Sequence, residues 1–194
     1  ATSFYPGKNL GAYGDAGAVV TMAEDLAAAV RRLGSHGGLT KYVHDVIGMN
    51  SRLDGLQAVV LRAKLARLAA WNASRRQAAA RYHDLLAGVD VIRPVTAEGN
   101  EHVWHLYVIR VPGDGSPARR DQVLAGLNAD GIGAGIHYPI PVHLTPAFAG
   151  PAHPAGAFPQ AERVANEILS LPLYPQLTAD AQEAVVASLR RALA

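Results

Sequence analysis

The chain has 194 residues, 49% of them hydrophobic, with 18 basic against 16 acidic side chains. That is enough apolar content to enclose a core, and a net charge of +2 leaves no basic arm for nucleic acid. The lack of cysteine excludes disulfides and thiolate metal sites and fits a reducing compartment, with the cytoplasm as default; no apolar run reaches membrane-span length and no signal-peptide pattern opens the chain.

The first segment, SFYPGKNLGAYGDAG, surrounds Lys8 with backbone freedom at Gly7, Gly11, Gly14 and Gly17, a fixed φ at Pro6 and a hydroxyl at Ser3. Such a context suits an amine that traps a phosphate-bearing aldehyde. A nucleotide P-loop is excluded by spacing. It needs a glycine five residues before its Gly-Lys pair and Ser or Thr after the lysine, where this chain has Thr2 and Asn9. The plain alternative is an exposed loop lysine, and only matches further along the chain decide against it.

A short buried strand is expected over 16–21, then an amphipathic helix over 24–33 ended by Gly34. After a polar stretch with Gly37 and Gly38, the spacing of Leu53, Leu56, Val60, Leu68 and Trp71 predicts a long helix over 51–86. Ser51 and Asp54 resemble a capping box at its start, with Gly55 weakening the first turn. This helix joins two domains, 1–75 and 76–194.

In the second domain VWHLYVIRV predicts a strand over 103–111, followed by a turn, a helix over 120–130 and a Gly131 cap. A glycine-rich strand is expected over 132–138 and a proline-stiffened loop, YPIPVHLTPAF, after it. Helices over 160–169 and 179–193 close the chain, the last with Thr178 as N-cap and Asp180 in its first turn. The order implies α/β or α+β packing with helices covering a small sheet.

Four ordered segments share a family resemblance: the lysine loop; KYVHDVIGMNSRLDGLQAVVLRAKL, with Asn50, Arg52, Leu53 and Gln57; EHVWHLYVIRV; and GIGAGIHYPIPVHLTPAF. The closing stretch FPQAERVANEILSLPLYPQLT extends the match. Together they resemble the DegT/DnrJ/EryC1/StrS family, the pyridoxal-phosphate sugar aminotransferases of the aspartate-aminotransferase fold type. The resemblance implies an α/β fold of type I: the end of the large cofactor-binding domain, with the lysine loop and the connecting helix, followed by the small C-terminal domain.

The residue roles implied are these. Lys8 holds pyridoxal 5'-phosphate covalently, Ser3 binds its phosphate, and Asn50 reaches the cofactor phosphate of a second subunit in a homodimer with shared sites. At a helix start, Asn50 would be placed to contact an anion; as a residue read alone it is a helix cap. His105, His137, Tyr138 and His143 are candidates for the nucleotide-linked sugar, the last three supplying donors and a stacking face. For each histidine a satisfied core or interface role is the competing reading.

No metal site is expected, because HExxH is absent and His102 and His105, three apart on one strand, would face opposite ways. The implied reaction moves an amino group, from L-glutamate, to a nucleotide-linked keto-deoxysugar, with the lysine-loop wording leaning to dTDP-3-keto-6-deoxyhexoses. The chain opens on Ala1 with no element before its functional loop. That leads to the expectation of a missing half, carrying the pyridine-nitrogen aspartate and the ring-stacking aromatic. The alternatives are a catalytically silent oligomerising or structural piece and a sugar-nucleotide binding module without chemistry.

Overall fold

The computed structural model describes residues 1–194 as two compact units, Ala1–Trp71 and Asn72–Ala194. The first opens with two short antiparallel strands, β1 (Thr2–Ser3) and β2 (Gly17–Ala18), in the register Thr2↔Ala18 and Ser3↔Gly17. The expected buried strand over 16–21 is thus only two residues long, and Val19 and Val20 beyond it are exposed.

Helix α1 (Glu24–Gly34) forms as expected, with Glu24 and Asp25 in its first turn and Arg31 and Arg32 in its last, each sign complementing the helix dipole. It buries no residue, and Leu26, Val30 and Leu33 remain exposed. Residues 35–50 fold back as a hairpin closed by a bridge between Ser35 and Asn50 and by the His36 amide on the Met49 carbonyl, 2.9 Å. Tyr42, Val43, Ile47 and Met49 project from it into solvent. Ala12 and Leu61 are the only hydrophobic residues buried in this unit.

Helix α2 (Gly55–Leu85) begins four residues later than the capping-box reading placed it. The Asp54 carbonyl accepts from the Gln57 and Ala58 amides, while the Ser51 amide turns back to Gly34. The predicted stripe is open at its start, with Leu56 81% exposed, and part-buried at Val60, Leu68 and Trp71. Full enclosure comes further along the same face, at Arg75, Ala78, Ala79 and Tyr82, with Leu86 just past the helix end.

In the second unit β3 (Tyr107–Arg110) pairs antiparallel with β4 (Ile168–Leu171), Tyr107 opposite Leu171 and Ile109 opposite Leu169. The strand predicted over 103–111 is therefore shorter: Trp104 takes a left-handed φ of 47°, and His102 and His105 lie ahead of the ladder, so the strand-face argument about that pair does not apply. Single bridges, Ile92 to Arg110 and Gly135 to Ser170, flank the two strands. The glycine-rich strand expected over 132–138 is reduced to the second of these. The helix expected over 160–169 ends at Glu167, and the residues after it are β4. All four β4 side chains are buried, so alternation gave no warning of a strand.

Helices α3 (Ala118–Ala129), α4 (Pro159–Glu167) and α5 (Ala179–Leu193) complete the unit. Gly131, at φ 76°, follows α3 as expected, and the Thr178 hydroxyl accepts from the Ala181 amide at 3.2 Å as the α5 cap. A Cβ on Gly126 would sit 2.9 Å from the Cβ of Ala192, so α3 and α5 approach as closely as glycine permits. The core joins Tyr82, Tyr107, Ile109, Val123, Leu127, Leu169, Val185 and Leu189.

Candidate functional site

In the first unit the short β1–β2 ladder ties off a loop containing Lys8. The Phe4 amide bonds to Ala16 and the Ala12 amide to Phe4, both at 2.8 Å, so residues 5–11 form a tight turn inside a closed frame. Gly11 is required there: a Cβ would lie 2.3 Å from the Pro6 carbonyl oxygen. The Lys8 amide donates to the Tyr5 carbonyl at 2.8 Å, fixing the backbone from which the half-buried side chain leaves.

The loop is held from α2. Gln57 Oε1 accepts from the Tyr13 amide at 2.8 Å, and Lys64 Nζ donates to the Gly11 carbonyl at 2.7 Å while lying 4.6 Å from the Tyr13 ring centroid. Seven residues apart, Gln57 and Lys64 stand two turns along one helix face. Sequence reasoning named Gln57 only as part of a motif and missed Lys64. Their spacing on a helix facing a glycine-rich loop is the signal that could have found them.

The chain has three lysines. Lys64 is spent on the loop, Lys41 lies over the Tyr42 ring, and Lys8 enters none of the salt bridges. Ser3 is exposed at the loop's entrance, its Oγ accepting from the Tyr5 amide at 3.2 Å, which leaves the hydroxyl hydrogen to donate elsewhere. A primary amine outside every ion pair and a hydroxyl donor on one pinned loop is a donor set that fits an aldehyde carrying a phosphate. Asn50 is exposed at the base of the 35–50 hairpin, five residues before α2, and so is not at a helix start as expected.

In the second unit the remaining candidates go to separate partners. Arg75, buried at 7% exposure, donates through one guanidinium nitrogen to the carbonyls of Trp104 and His105, both 3.2 Å, and of Leu173, 2.9 Å. Burial pulls its pKa down. Arg75 therefore sets the backbone of His105, a role invisible in sequence because it acts across a long separation. His102 stacks on Trp104 with centroids 3.9 Å apart and accepts from the Trp104 amide at 2.8 Å.

His137 Nδ1 meets Ser170 Oγ at 2.9 Å, and His143 Nε2 meets Glu162 Oε1 at the same distance. Ser170 lies just past the helix expected over 160–169, in a strand that was not foreseen. Between these anchored histidines Tyr138 is 71% exposed, its ring and hydroxyl open to a ligand. The loop borders an apolar cavity of about 930 Å³ lined by Tyr138, Ile140, Val142, Phe148, Phe158 and Val164, among others. No three His, Asp or Glu side chains converge as a metal-binding group. No helix is long and apolar enough to cross a membrane.

The sequence profile of the DegT/DnrJ/EryC1/StrS aminotransferase family matches residues 1–190. The chain belongs to that family. Among similar curated proteins, dTDP-3-amino-3,4,6-trideoxy-alpha-D-glucose transaminase of Streptomyces venezuelae is 50% identical over 178 residues, 91% of this chain and 45% of the relative. The crystal structure of S. venezuelae DesV in complex with a ketimine intermediate superposes with a TM-score of 0.86 at 47% identity, covering 97% of this chain and 50% of that one. NtdA from Bacillus subtilis, solved with bound cofactor PMP, gives a TM-score of 0.82 at 31% identity over 98% of this chain and 45% of NtdA. The fold is that of the type I PLP-dependent aminotransferases. The chain spans about half the length of the relatives it matches.

Proposed function

We propose that this chain carries the lysine-bearing part of a PLP-dependent aminotransferase that aminates a nucleotide-linked keto-deoxysugar, of the dTDP-3-keto-6-deoxyhexose class, with L-glutamate as amino donor. The observation that carries the reading is Lys8, outside every ion pair on a loop clamped by Gln57 and Lys64. The S. venezuelae relative, named for a dTDP-linked aminosugar, supports the substrate class. Residues 1–75 are read as the end of the large cofactor-binding domain and 76–194 as the small C-terminal domain.

Lys8 Nζ would hold the cofactor through its aldehyde, and the Ser3 hydroxyl would donate to its phosphate. Bound PLP supplies an electron sink for the negative charge that develops at the carbon beside the transferred nitrogen. Once released from the cofactor, the Lys8 amine would be the group that holds and moves a proton at its Nζ. An amine and a hydrogen are exchanged for a carbonyl oxygen, so no external oxidant or reductant is needed. Tyr138 offers a ring face and a hydroxyl to the sugar nucleotide, and His105, His137 and His143 are proposed as further contacts. Asn50 serves the cofactor phosphate of a second copy, and the apolar side chains exposed on the 35–50 hairpin support such pairing. The absence of cysteine is in keeping with a cytoplasmic enzyme.

The test is borohydride reduction after incubation with pyridoxal phosphate, followed by peptide mass analysis. The adduct is expected on Lys8 and absent in Lys8→Ala. Label on Lys41 or Lys64, or none at all, refutes the reading. Binding of a dTDP-sugar that ignores Lys8→Ala, with no adduct, would mark a binding module instead.

A further inference from the structure

Glu162 stands in the first turn of α4 and gathers three separate groups. His143 Nε2 lies 2.9 Å from Oε1; the Gly156 amide donates to both carboxylate oxygens at 2.9 and 3.0 Å; and the Phe158 amide donates to Oε1 at 3.3 Å. His143 is held from a second side, its ring edge-on to Phe158 with centroids 4.8 Å apart. The side chains of His143 and Glu162 are 10% and 23% exposed. One carboxylate thus joins the short 3-10 turn Val142–Leu144 to the turn that precedes α4, and Val142, His143 and Phe158 from these segments line the apolar cavity.

Ordinary helix capping accounts for part of this geometry. A carboxylate reaching back to the amide of Phe158, the residue ahead of Pro159, satisfies a donor that α4 leaves open. Capping does not account for His143, which lies 19 residues away in sequence and brings its own loop with it. The hydrogen bonds from His143 and then from the Gly156 amide hold the Glu162 carboxyl below the usual range, so the acceptor stays charged at neutral pH. A charged acceptor grips an imidazole more firmly than an amide oxygen does.

We propose that Glu162 is a positioning residue: through His143 it fixes the loop that presents Tyr138, so that the wall meeting the sugar nucleotide is formed before substrate arrives. This rests on the reading of the Tyr138 loop as a substrate surface. Glu162 touches neither substrate nor cofactor, and its effect is on binding, not on the rate of proton movement at Lys8.

Glu162→Gln and Glu162→Ala, made in the intact PLP-loaded enzyme, separate positioning from capping. Glutamine keeps an oxygen for Gly156 and Phe158 but loses the charge facing His143. Expected in Glu162→Gln is a rise of about tenfold in KM for the dTDP-linked ketosugar with kcat little changed, and faster amide exchange at Leu144 and Gly156 while exchange in α5 is unaltered. A role in capping alone predicts full rescue by Glu162→Gln, and that result overturns the proposal. A fall in kcat with KM unchanged overturns it too. If the wild-type enzyme fails to process any dTDP-linked ketosugar while Leu144 and Gly156 exchange faster in the variant, the substrate reading fails and the positioning proposal falls with it. Unchanged exchange and unchanged KM in an active enzyme refute the clasp alone.

Discussion

Arg75→Met replaces a buried guanidinium by a side chain of similar length that cannot donate. Three carbonyls, of Trp104, His105 and Leu173, lose their shared donor. At about 1 kcal/mol for each acceptor left without a partner, the gross loss is about 3 kcal/mol. Part is recovered, because the variant no longer buries a cation whose Nε has no partner. A net destabilisation of about 2 kcal/mol is expected, which at an m-value near 2 kcal/mol/M moves the urea midpoint down by about 1 M. The loss is local as well as global. Trp104 sits at φ 47°, a conformation that costs a bulky residue energy, and Arg75 is bonded to its carbonyl. With Trp71→Phe as background, Trp104 is the sole tryptophan. Its emission should change in Arg75→Met before any denaturant is added, as the stack with His102 loosens. A midpoint shift under about 0.3 M together with an unaltered Trp104 spectrum would refute the assignment of Arg75 as the organiser of this segment.

Gly11→Ala places a methyl against the Pro6 carbonyl and should force the lysine loop open; the borohydride-fixed adduct at Lys8 falls to background while far-UV circular dichroism stays that of the parent. Equal adduct yield in the two proteins would mean that the loop tolerates a different path. Burial, reinforced at Tyr82 by the neighbouring Tyr174 and Tyr107, pushes the hydroxyl pKa values of Tyr82 and Tyr107 well above the ordinary tyrosine range. In the unfolded chain these groups ionise near ~10, so their contribution is intact below that pH and declines as pH rises beyond it. Urea midpoints measured from neutral pH to about pH 11 should therefore fall, and less steeply in Tyr82→Phe. A profile with the same slope in both would remove the buried hydroxyl as the cause.

What could be read from the sequence was whatever depends on local signals. Helices α1, α3 and α5 carry their own end markers, charges at α1, Gly131 after α3 and Thr178 before α5, and they form where those markers stand. Lys8, Ser3 and Gly11 declare a special loop for the same reason. The misreadings share a different cause. Strand β4 is enclosed on both faces, so it shows no exposed positions in alternation, and Ile168 and Leu169 looked like the end of α4. The stripe of α2 is real in sequence and runs on through Trp71 into Arg75, Ala78 and Tyr82, yet only that later stretch is enclosed, because burial depends on what packs against it. Glu162, Ser170 and Arg75 act on partners 19 to 98 residues away, and no spacing rule reports a contact of that kind.

The first unit encloses just Ala12 and Leu61 among its hydrophobic residues while Met22, Val20 and Ile47 stand almost fully in water. Squeezing water from apolar surface is the main force that keeps a folded body together, and this one derives little from it. Cut free as a polypeptide of its own, it would melt readily or clump with its neighbours. The geometry around Lys8 would therefore gain from any protein that covered those bare side chains.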